Sequence, residues 1–426
     1  MKIVLINNHS ILNSGDFAIL LQTLQLLHNT FPQAEIVLTF NEPHTARSAL
    51  PTYRIYSAPP SWGTSLDQDR QIRQLPRLMR AGYLVALLIS AWIARWRGKP
   101  VRIFWDEEKQ ALLEELATAD IVIACGGGYI YHWFTFASAL MCASLIMRRP
   151  LVMLPQSVGP FHHPLQEKMA YFILHRANII VTRETISWQR VRNMSISTVT
   201  CEPDLAFGFP SASHKLAQEW LQNRLPHHLV TSMYVGITAI DWQKQNRRFS
   251  GQERYERELV RFIDRLTSQE AVVVLFAQTC GPSRAEDDRY VNMRIMQMVR
   301  DPQRVIAIND HLHPSLLQAL YGCMDYFVAT RLHSFIFATN AGIPAINIGY
   351  LSKSEGILRD MGLLDRWIDI EQFDSEQLWR AFTSLQQEGL RATAQQYVLN
   401  AQNSRQKLRD ILLAHFGSSA ITTELA

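Results

Sequence analysis

The 426-residue sequence has little cysteine, and its cysteines are far apart along the chain: Cys125, Cys142, Cys201, Cys280 and Cys323. They form no C-x-x-C pair, so their spacing indicates neither a disulfide framework nor a zinc site. No cluster of His, Asp and Glu has metal-ligand spacing either, and we expect no metal. The first residues run directly into an apolar strand pattern without the cleavage site of a secretory signal. We therefore expect a reducing, cytoplasmic location.

The chain also lacks a large excess of positive or negative charge. The net charge is +4, charged residues make up 19% of the chain and hydrophobic residues 47%, which is typical of a globular protein and excludes a disordered one. Without a concentrated basic stripe we expect no nucleic-acid partner, and the mild positive charge suits an anionic small substrate or a lipid surface better. A G-x-G-x-x-G fingerprint is missing too, which argues against a nicotinamide cofactor.

No apolar run reaches the roughly 20 residues needed to span a bilayer. The nearest is residues 77–99, whose apolar centre at 81–94 has basic residues at both ends and Trp92 and Trp96 near one end. This pattern is typical of a helix that lies in a membrane interface, and a buried or interdomain helix has the same pattern. Both interpretations stay open, and the first would bring the protein to the inner face of the membrane.

Repeated βα units occur in both halves of the chain, which is too long for one ordinary core. They predict an α/β protein with two Rossmann-like domains that face a cleft, at residues 1–208 and 228–390. Residues 45–110 interrupt the first domain as an irregular or membrane-facing insertion, with 45–75 irregular. Residues 391–426 are predicted to be a helical segment that packs back on the first domain.

The most informative stretch reads as strand, polar turn and helix. Residues 326–329 form a short apolar run typical of a buried parallel strand, and residues 335–340 are predicted to be a helix. Arg331 and His333 lie between them, where the carboxyl end of a strand meets a helix start, a place that binds ligands and favours anions. A surface arginine with a half-buried, backbone-bonded histidine is the alternative, but the uniformly apolar flanks favour a functional pair.

Other predicted strands also end in polar residues. Asn13–Asp16 follow the first strand, either as ligand contacts or as a helix cap made by Ser14 or Asp16. A glycine loop at residues 125–132 follows a later strand and allows backbone to approach a ligand closely. Arg183 and Glu184 also follow a strand, in a context that resembles that of Arg331, with an ion pair between helices as the alternative.

These pieces occur in an order that resembles the polysaccharide pyruvyl transferase family, and within it most the colanic acid pyruvyl transferase type. The resemblance covers most of the chain. Each motif is weak alone, but the ordered set is specific. The matching segments are residues 7–20, 125–128, 156–160, 182–184, 202–204, 279–289, 330–334, 341–344 and 353–356. Residues 45–110 match no known pattern and 241–256 are only loosely similar, so both regions are candidates for acceptor choice.

The resemblance implies a two-domain, glycosyltransferase-B-like fold and an enzyme of exopolysaccharide biosynthesis. The implied reaction moves the enolpyruvyl group of phosphoenolpyruvate onto two hydroxyls of a sugar or lipid-linked oligosaccharide, giving a cyclic ketal and phosphate. Phosphoenolpyruvate is then a donor substrate, and no cofactor is implied. The donor would be held by Arg183, Arg331 and His333, with backbone from Leu332.

The implied reaction requires these residue types for chemical reasons that do not depend on the resemblance. Guanidinium groups bind carboxylate and phosphate in bidentate fashion, and a group of pKa near 7 can move the protons. We therefore predict that His333 carries the proton or clamps the phosphate, that Arg331 and Arg183 clamp the donor, and that Asp16 or Glu184 is the base for a sugar hydroxyl. Further predicted contacts to substrate are Asn13, Gly15, Gly126, Gly127, Gln156, Ser157, Leu332, Ser334, Lys353 and Glu355.

Two other functions remain open because one fold hosts many activities. A nucleotide-sugar glycosyltransferase of the same fold would need contacts for a nucleobase and a ribose, and no clear acidic pair provides them. A non-catalytic, membrane-attached member of a polysaccharide assembly would depend on residues 77–99. The sequence leaves the acceptor sugar, the bridged hydroxyls and the oligomeric state open.

Overall fold

The computed structural model describes residues 1–104, 106–131, 134–225, 233–246 and 248–421. The chain divides into two compact units. Unit 1 contains Met1–Ile11, Ile19–Leu205 and Asn403–Ala426, and unit 2 contains Leu12–Ala18 and Ala206–Gln402. The short segment Leu12–Ala18 therefore belongs with unit 2, although the residues on both sides of it belong with unit 1.

Unit 1 is built on an eight-stranded parallel sheet. Its core strands are buried on both faces, which explains why they read as continuous apolar runs rather than alternating ones. The order is β10-β9-β8-β6-β1-β2-β3, with β7 beside β8, and β4 and β5 form a separate antiparallel hairpin. The strands are β1 (Lys2–Asn8), β2 (Glu35–Phe40), β3 (Arg54–Ser57), β4 (Thr64–Leu66), β5 (Ile72–Gln74), β6 (Ile121–Ala124), β7 (Gly127–Ile130), β8 (Leu151–Val158), β9 (Ile179–Thr182) and β10 (Val199–Cys201).

Helices connect these strands and cover the sheet. Several begin at recognisable caps: Asp106 accepts hydrogen bonds from the backbone N–H groups of Glu108 and Lys109, and the side chain of Asn13 accepts one from Gly15. The helices are α1 (Ser14–Thr30), α2 (Pro43–Ala49), α3 (Arg77–Arg97), α4 (Glu107–Thr118), α5 (Phe134–Ala137), α6 (Ala139–Ile146), α7 (Pro164–Leu174) and α8 (Thr185–Asn193).

Unit 2 repeats the plan with a six-stranded parallel sheet in the order β13-β12-β11-β14-β15-β16. Its strands are β11 (Tyr234–Thr238), β12 (Val272–Phe276), β13 (Val305–Ile308), β14 (Tyr326–Ala329), β15 (Ala345–Gly349) and β16 (Trp367–Asp369). The remaining helices are α9 (His214–Gln222), α10 (Trp242–Gln245), α11 (Gln252–Ser268), α12 (Arg289–Met298), α13 (Pro314–Tyr321), α14 (Leu332–Asn340), α15 (Ser352–Asp360), α16 (Ser375–Glu388) and α17 (Ala392–Ile421), the last of which runs from unit 2 into unit 1. The predicted α/β class is confirmed.

Two local predictions are wrong. Residues 45–75 are not irregular, because β3 adds to the edge of the sheet beside β2, and β4 and β5 pair with each other. These strands have three or four residues, too few for an alternating pattern to stand out. The predicted glycine loop at 125–132 is in part strand β7, which pairs with β8. His132, at the end of that predicted loop, lies outside the described residues.

Helix α3 stands out by length and composition. It has 21 residues. Its most apolar stretch of 18 residues has a mean hydropathy of 1.4, and only 22% of that stretch is buried. Among the described residues it is the one helix that is long and apolar enough to cross a membrane.

Candidate functional site

The turn between β14 and α14 lies at the carboxyl edge of the unit 2 sheet. Arg331 is the residue just before α14, with an extended backbone (φ −91°, ψ 132°). Leu332, His333 and Ser334 form the first turn of the helix and are buried. The helix thus begins three residues earlier than predicted. The start of an α-helix carries the positive end of the helix dipole, and this end favours the binding of anions.

Asp288 fixes the side chain of Arg331. The guanidinium donates from Nε (3.2 Å) and Nη2 (2.5 Å) to Oδ1 of Asp288, and from Nη2 to the backbone oxygen of Glu286 (3.3 Å). The other carboxylate oxygen of Asp288 accepts a hydrogen bond from the backbone N–H of Thr279. Burial raises the pKa of Asp288 to about 6, against the lowering effect of Arg331. Burial lowers the pKa of Arg331, but Asp288 outweighs it and keeps the guanidinium charged.

His333 packs directly against the backbone of Gly15. A Cβ atom placed on Gly15 would lie 2.1 Å from Nδ1 of His333 and 2.2 Å from Cγ, so any side chain at position 15 would displace the imidazole. The histidine itself is 9% exposed. The first turn of α1 and the first turn of α14 therefore meet within unit 2, and a glycine is what allows them to do so.

The segment around Asn13 is held against the loop that follows β12. Asn13 forms an antiparallel bridge with Thr279, and the backbone N–H of Ser14 donates to the oxygen of Gln278 (3.2 Å). The side chain of Asn13 caps α1 by accepting from Gly15 (3.0 Å) and from the N–H of Asp16 (3.4 Å). The structure thus brings Asn13, Gly15 and Asp16 to the edge that carries Arg331 and His333.

Hydrogen bonds of buried hydroxyl groups hold the turn between β14 and α14 in place. The side-chain oxygen of Gln278 accepts hydrogen bonds from Ser334 (3.1 Å) and from the hydroxyl of Tyr321 (2.6 Å). Thr330 is bonded to the hydroxyl of Tyr255 (2.8 Å). Burial raises the pKa of both tyrosines, so both hydroxyls stay protonated and keep these bonds. Ser334, a predicted contact to substrate, is therefore engaged in the support of the turn.

The residues after β15 complete this edge. The ring of Tyr350 lies 4.4 Å from that of Trp242, centroid to centroid. Burial raises the pKa of its hydroxyl, which Arg331 lowers and the charges of Asp288 and Asp16 raise further. The predicted contacts Lys353 and Glu355 follow in the first turn of α15.

Glu355 accepts a hydrogen bond from Arg359 of the same helix (2.6 Å), so part of its binding capacity is already used.

Sequence reasoning assigned no role to three residues of this edge: Gln278, Asp288 and Tyr350. Asp288 pairs with Arg331, Gln278 carries the hydroxyl network, and Tyr350 interacts with both Arg331 and Asp16. A signal was present, because each follows a predicted strand of a parallel sheet, where side chains from separate loops converge.

The predicted site residues of unit 1 form a second, fully buried group. Arg183 is 1% exposed, and its Nη1 lies 2.6 Å from Oδ2 of Asp204. Its Nε donates to Oγ of Ser157 (2.8 Å) and lies 3.7 Å from Oε2 of Glu184. Glu184 in turn accepts hydrogen bonds from Ser157 (2.9 Å) and Ser187. Three segments of the motif set, 156–160, 182–184 and 202–204, therefore meet in one network.

The neighbouring residues of unit 1 are packed inside the sheet. The side-chain amide of Gln156 donates to the backbone oxygen of Cys125 (3.1 Å), and Gln156 lies opposite Gly127 in the sheet. Gly127 has φ of 137°, a conformation that favours glycine. A Cβ on Gly126 would lie 3.1 Å from the oxygen of Pro155, so close packing explains that glycine.

No group of three or more His, Cys, Asp or Glu that could hold a metal ion occurs in the part of the chain that the structure describes. The charged and titratable groups that the structure places at the unit 2 edge are a guanidinium, an imidazole and nearby carboxylates.

The sequence is similar to known proteins over most of its length. A family model described as polysaccharide pyruvyl transferase matches residues 13–352, a range that contains both groups described above. The amylovoran biosynthesis protein AmsJ of Erwinia amylovora is 27% identical over 388 residues, which is 87% of this chain and 88% of that protein.

Comparison with solved structures places the fold. UDP-GlcNAc 2-epimerase from Neisseria meningitidis aligns with a TM-score of 0.57 at 11% identity, covering 97% of this chain and 100% of that one. The enzyme from Methanocaldococcus jannaschii gives 0.58 at 9% identity (96% and 99%), and MurG from Acinetobacter baumannii gives 0.51 at 12% (97% and 99%). At these identities the likeness shows the fold alone, which is of the glycosyltransferase-B type, as predicted.

Proposed function

Because the chain belongs to the polysaccharide pyruvyl transferase family, we propose that it forms a cyclic pyruvate ketal on a sugar, with phosphoenolpyruvate as donor. The oxygen of one sugar hydroxyl bonds to C2 of the donor and gives up its proton to a base, while C3 takes up a proton from an acid and becomes a methyl group. Phosphate then leaves, and a second hydroxyl attacks C2 and loses its proton. The relative named for amylovoran biosynthesis supports an acceptor from exopolysaccharide biosynthesis, as a sugar or a lipid-linked oligosaccharide.

The observation that carries the proposal is the pairing of Arg331 and His333 at the start of α14. Phosphoenolpyruvate has a carboxylate and a phosphate close together, and a guanidinium fixed by Asp288 at the start of a helix suits one of these anions. Arg331 stays charged at any working pH, so it can pair with an anionic group of the donor throughout the range in which the proton steps occur.

His333 is the residue we assign to proton transfer. An imidazole can both donate and accept a proton at its ring nitrogens, so it can hand a proton to C3 and later accept one. Gly15 fixes the position of its ring, and a positioned acid–base group is what this reaction needs. Asp16, in the same helix turn as Gly15, is the carboxylate we assign to the sugar hydroxyl.

Arg183 and Glu184 have a different part in the proposal. The guanidinium of Arg183 is engaged by Asp204 and Ser157 inside unit 1, and the carboxylate of Glu184 by two serines. These contacts support a positioning role, in which the network holds the residue 156–160 segment in place. We assign contact with the donor to Arg331.

The test is release of phosphate from phosphoenolpyruvate in the presence of candidate lipid-linked sugar acceptors. Turnover that requires both substrates, together with a pyruvate ketal in the product, supports the proposal. Thermal-shift assays with phosphoenolpyruvate and a panel of nucleotide sugars provide the control. Stabilisation by a nucleotide sugar alone, with no phosphate released from phosphoenolpyruvate in the presence of any acceptor tested, would replace the proposal with a glycosyltransferase.

A further inference from the structure

Helix α3 has two apolar faces on opposite sides. One face, formed by Leu87, Ser90, Ala91 and Ala94, is buried in the core of unit 1, where Trp62 and Phe104 also lie. The other face is exposed and consists of Leu78, Val85, Ile89, Trp92 and Trp96. Successive members of this second set are seven, four, three and four residues apart, the spacing that places side chains on one side of a helix.

The exposed face is large for a soluble protein. Leu78 is 88% exposed and Trp96 is 68% exposed, and the three residues between them are each about half exposed. Single exposed apolar residues are ordinary, but a continuous stripe along five helical turns marks a surface that something else covers.

The charge around α3 shows what kind of partner fits. Residues 70–102 contain seven arginines and one lysine but no Asp or Glu, and the rest of the chain has 34 basic and 38 acidic residues. The positive charge of the protein is thus concentrated at this one helix and its flanks. Arg95, Arg97 and Lys99 lie exposed beside the two tryptophans. An apolar stripe bordered by basic residues is complementary to anionic lipid headgroups above acyl chains.

The β4–β5 hairpin extends the same surface. Leu66 and Ile72 are directly opposite each other in the hairpin, and both are exposed, as is Leu75. The side chain of Arg80 in α3 donates to Gln74 of β5 (2.5 Å), so the hairpin lies beside the start of the helix. Asp67 and Asp69 in the hairpin turn are the acidic residues nearby, and Asp67 is paired with Arg73.

We propose that α3 and the β4–β5 hairpin lie flat in the interface of an anionic lipid bilayer and attach the protein to it. The helix has the length to cross a bilayer, but the face with Leu87, Ala91 and Ala94 is packed in the core of unit 1, and crossing would expose that core. Tryptophans at the end of the stripe and arginines beside them are the residues preferred at the headgroup level. This proposal stands apart from the reaction above, because attachment can be measured without turnover.

The first test is co-sedimentation of the full-length protein with vesicles of phosphatidylcholine containing 30% phosphatidylglycerol. The double variant Trp92→Ser, Trp96→Ser should bind at least ~tenfold more weakly, because two large apolar side chains no longer enter the interface. The matched control is Leu165→Ser, Tyr171→Ser on α7, which removes two residues of similar exposure from another surface of unit 1. The control should bind like the wild type.

The second test concerns the basic border. Arg97→Glu, Lys99→Glu should weaken binding to the anionic vesicles by roughly fivefold or more per residue, and raising the salt concentration should release the wild type. Lys168→Glu, Lys215→Glu makes the same charge change elsewhere and should leave binding nearly unchanged.

Equal binding of the Trp92/Trp96 variant and its control would overturn the proposal, and so would absence of wild-type binding to anionic vesicles. Light scattering of the wild type and the tryptophan variant examines the alternative occupant, a second copy of the chain. A wild-type dimer that the variant converts to monomer, in protein that ignores vesicles, would assign the stripe to self-association.

Discussion

Two arginines in this chain have the same local sequence context and different surroundings. Arg183 and Arg331 each follow a short buried strand of a parallel sheet and precede a helix. Arg183 is 1% exposed and meets Asp204, Ser157 and Glu184. Arg331 is 9% exposed and is fixed by one carboxylate.

In the function proposed above, this difference separates an arginine that positions a segment of unit 1 from an arginine that binds the donor. In unit 1 a pair of carboxylates balances the guanidinium in the interior, so the network stabilises the segments that supply it. In unit 2 the arginine lies at the sheet edge, beside an imidazole and a helix start. Each guanidinium is in a buried ion pair, which is costly to break from one side. Arg331 differs in its neighbours, which are the imidazole of His333 and the start of α14.

The largest effect is expected at His333. Replacement by alanine should lower the turnover of phosphoenolpyruvate by about 10²–10⁴, because proton transfer would fall to solvent. The midpoint of urea unfolding should change little. The comparison variant is His415→Ala, which removes an exposed histidine of α17. Near-normal turnover of His333→Ala would end the assignment of this residue.

Arg183 should instead report on stability. Arg183→Ala leaves Asp204 buried without its cation and should cost about 3–5 kcal/mol of unfolding free energy. The double variant Arg183→Ala, Asp204→Ala should cost less than the sum of the two single changes, measured by urea unfolding. Arg192→Ala, at an exposed arginine of α8, should stay within about 0.5 kcal/mol of the wild type. Normal stability with lost turnover would place Arg183 with Arg331 instead.

Gly15 tests the contact that positions the imidazole. Gly15→Ala puts a Cβ where Nδ1 of His333 now lies, so the ring must move and turnover should fall about 10–10²-fold. Gly417→Ala, in α17, meets only ordinary contacts at 3.8 Å or more and provides the comparison. A Gly15→Ala enzyme with unchanged kcat and KM would show that the ring position is not critical.

The smallest effect is a pH dependence of stability from Asp288. Its pKa is raised to about 6 in the folded protein, so between the ordinary aspartate pKa near 4 and pH 6 the folded state holds a proton that the unfolded state has lost. This contribution is present at low pH and is lost as pH rises through 6, on the order of 2 kcal/mol. Unfolding of Asp288→Asn should lack this slope between pH 4 and 7. The same slope in the variant would assign it to other groups.

The sheets of both units could be predicted because their strands are buried on both faces and therefore apolar throughout. Residues 326–329 and 179–182 are examples, and both predicted strands match β14 and β9. Where strands have three or four residues and lie at an edge, as at residues 54–57, the apolar pattern is too short to distinguish them from loop.

The sequence predicts candidate site residues only where the neighbouring residues in the chain already mark them. Arg331 and His333 stand out among apolar neighbours, so the sequence alone indicates them as candidates. Asp288 lies 43 positions from the arginine that it fixes, and nothing in its own neighbourhood marks that pairing. The burial of Arg183 in an ion pair could not be predicted either, because Asp204 comes close to it only when β9 and β10 pair in the folded sheet.

The assignment of Leu12–Ala18 to unit 2 has a consequence for dissecting the protein. Residues 206–402 expressed alone would lack the piece that bridges to Thr279 and donates to Gln278, and would leave those backbone groups open to water. A fragment of unit 2 should therefore be prepared as a fusion protein, in which a peptide equivalent to residues 12–18 is joined to residues 206–402. Gene fusions that exchange whole halves between relatives would have to transplant this peptide as well.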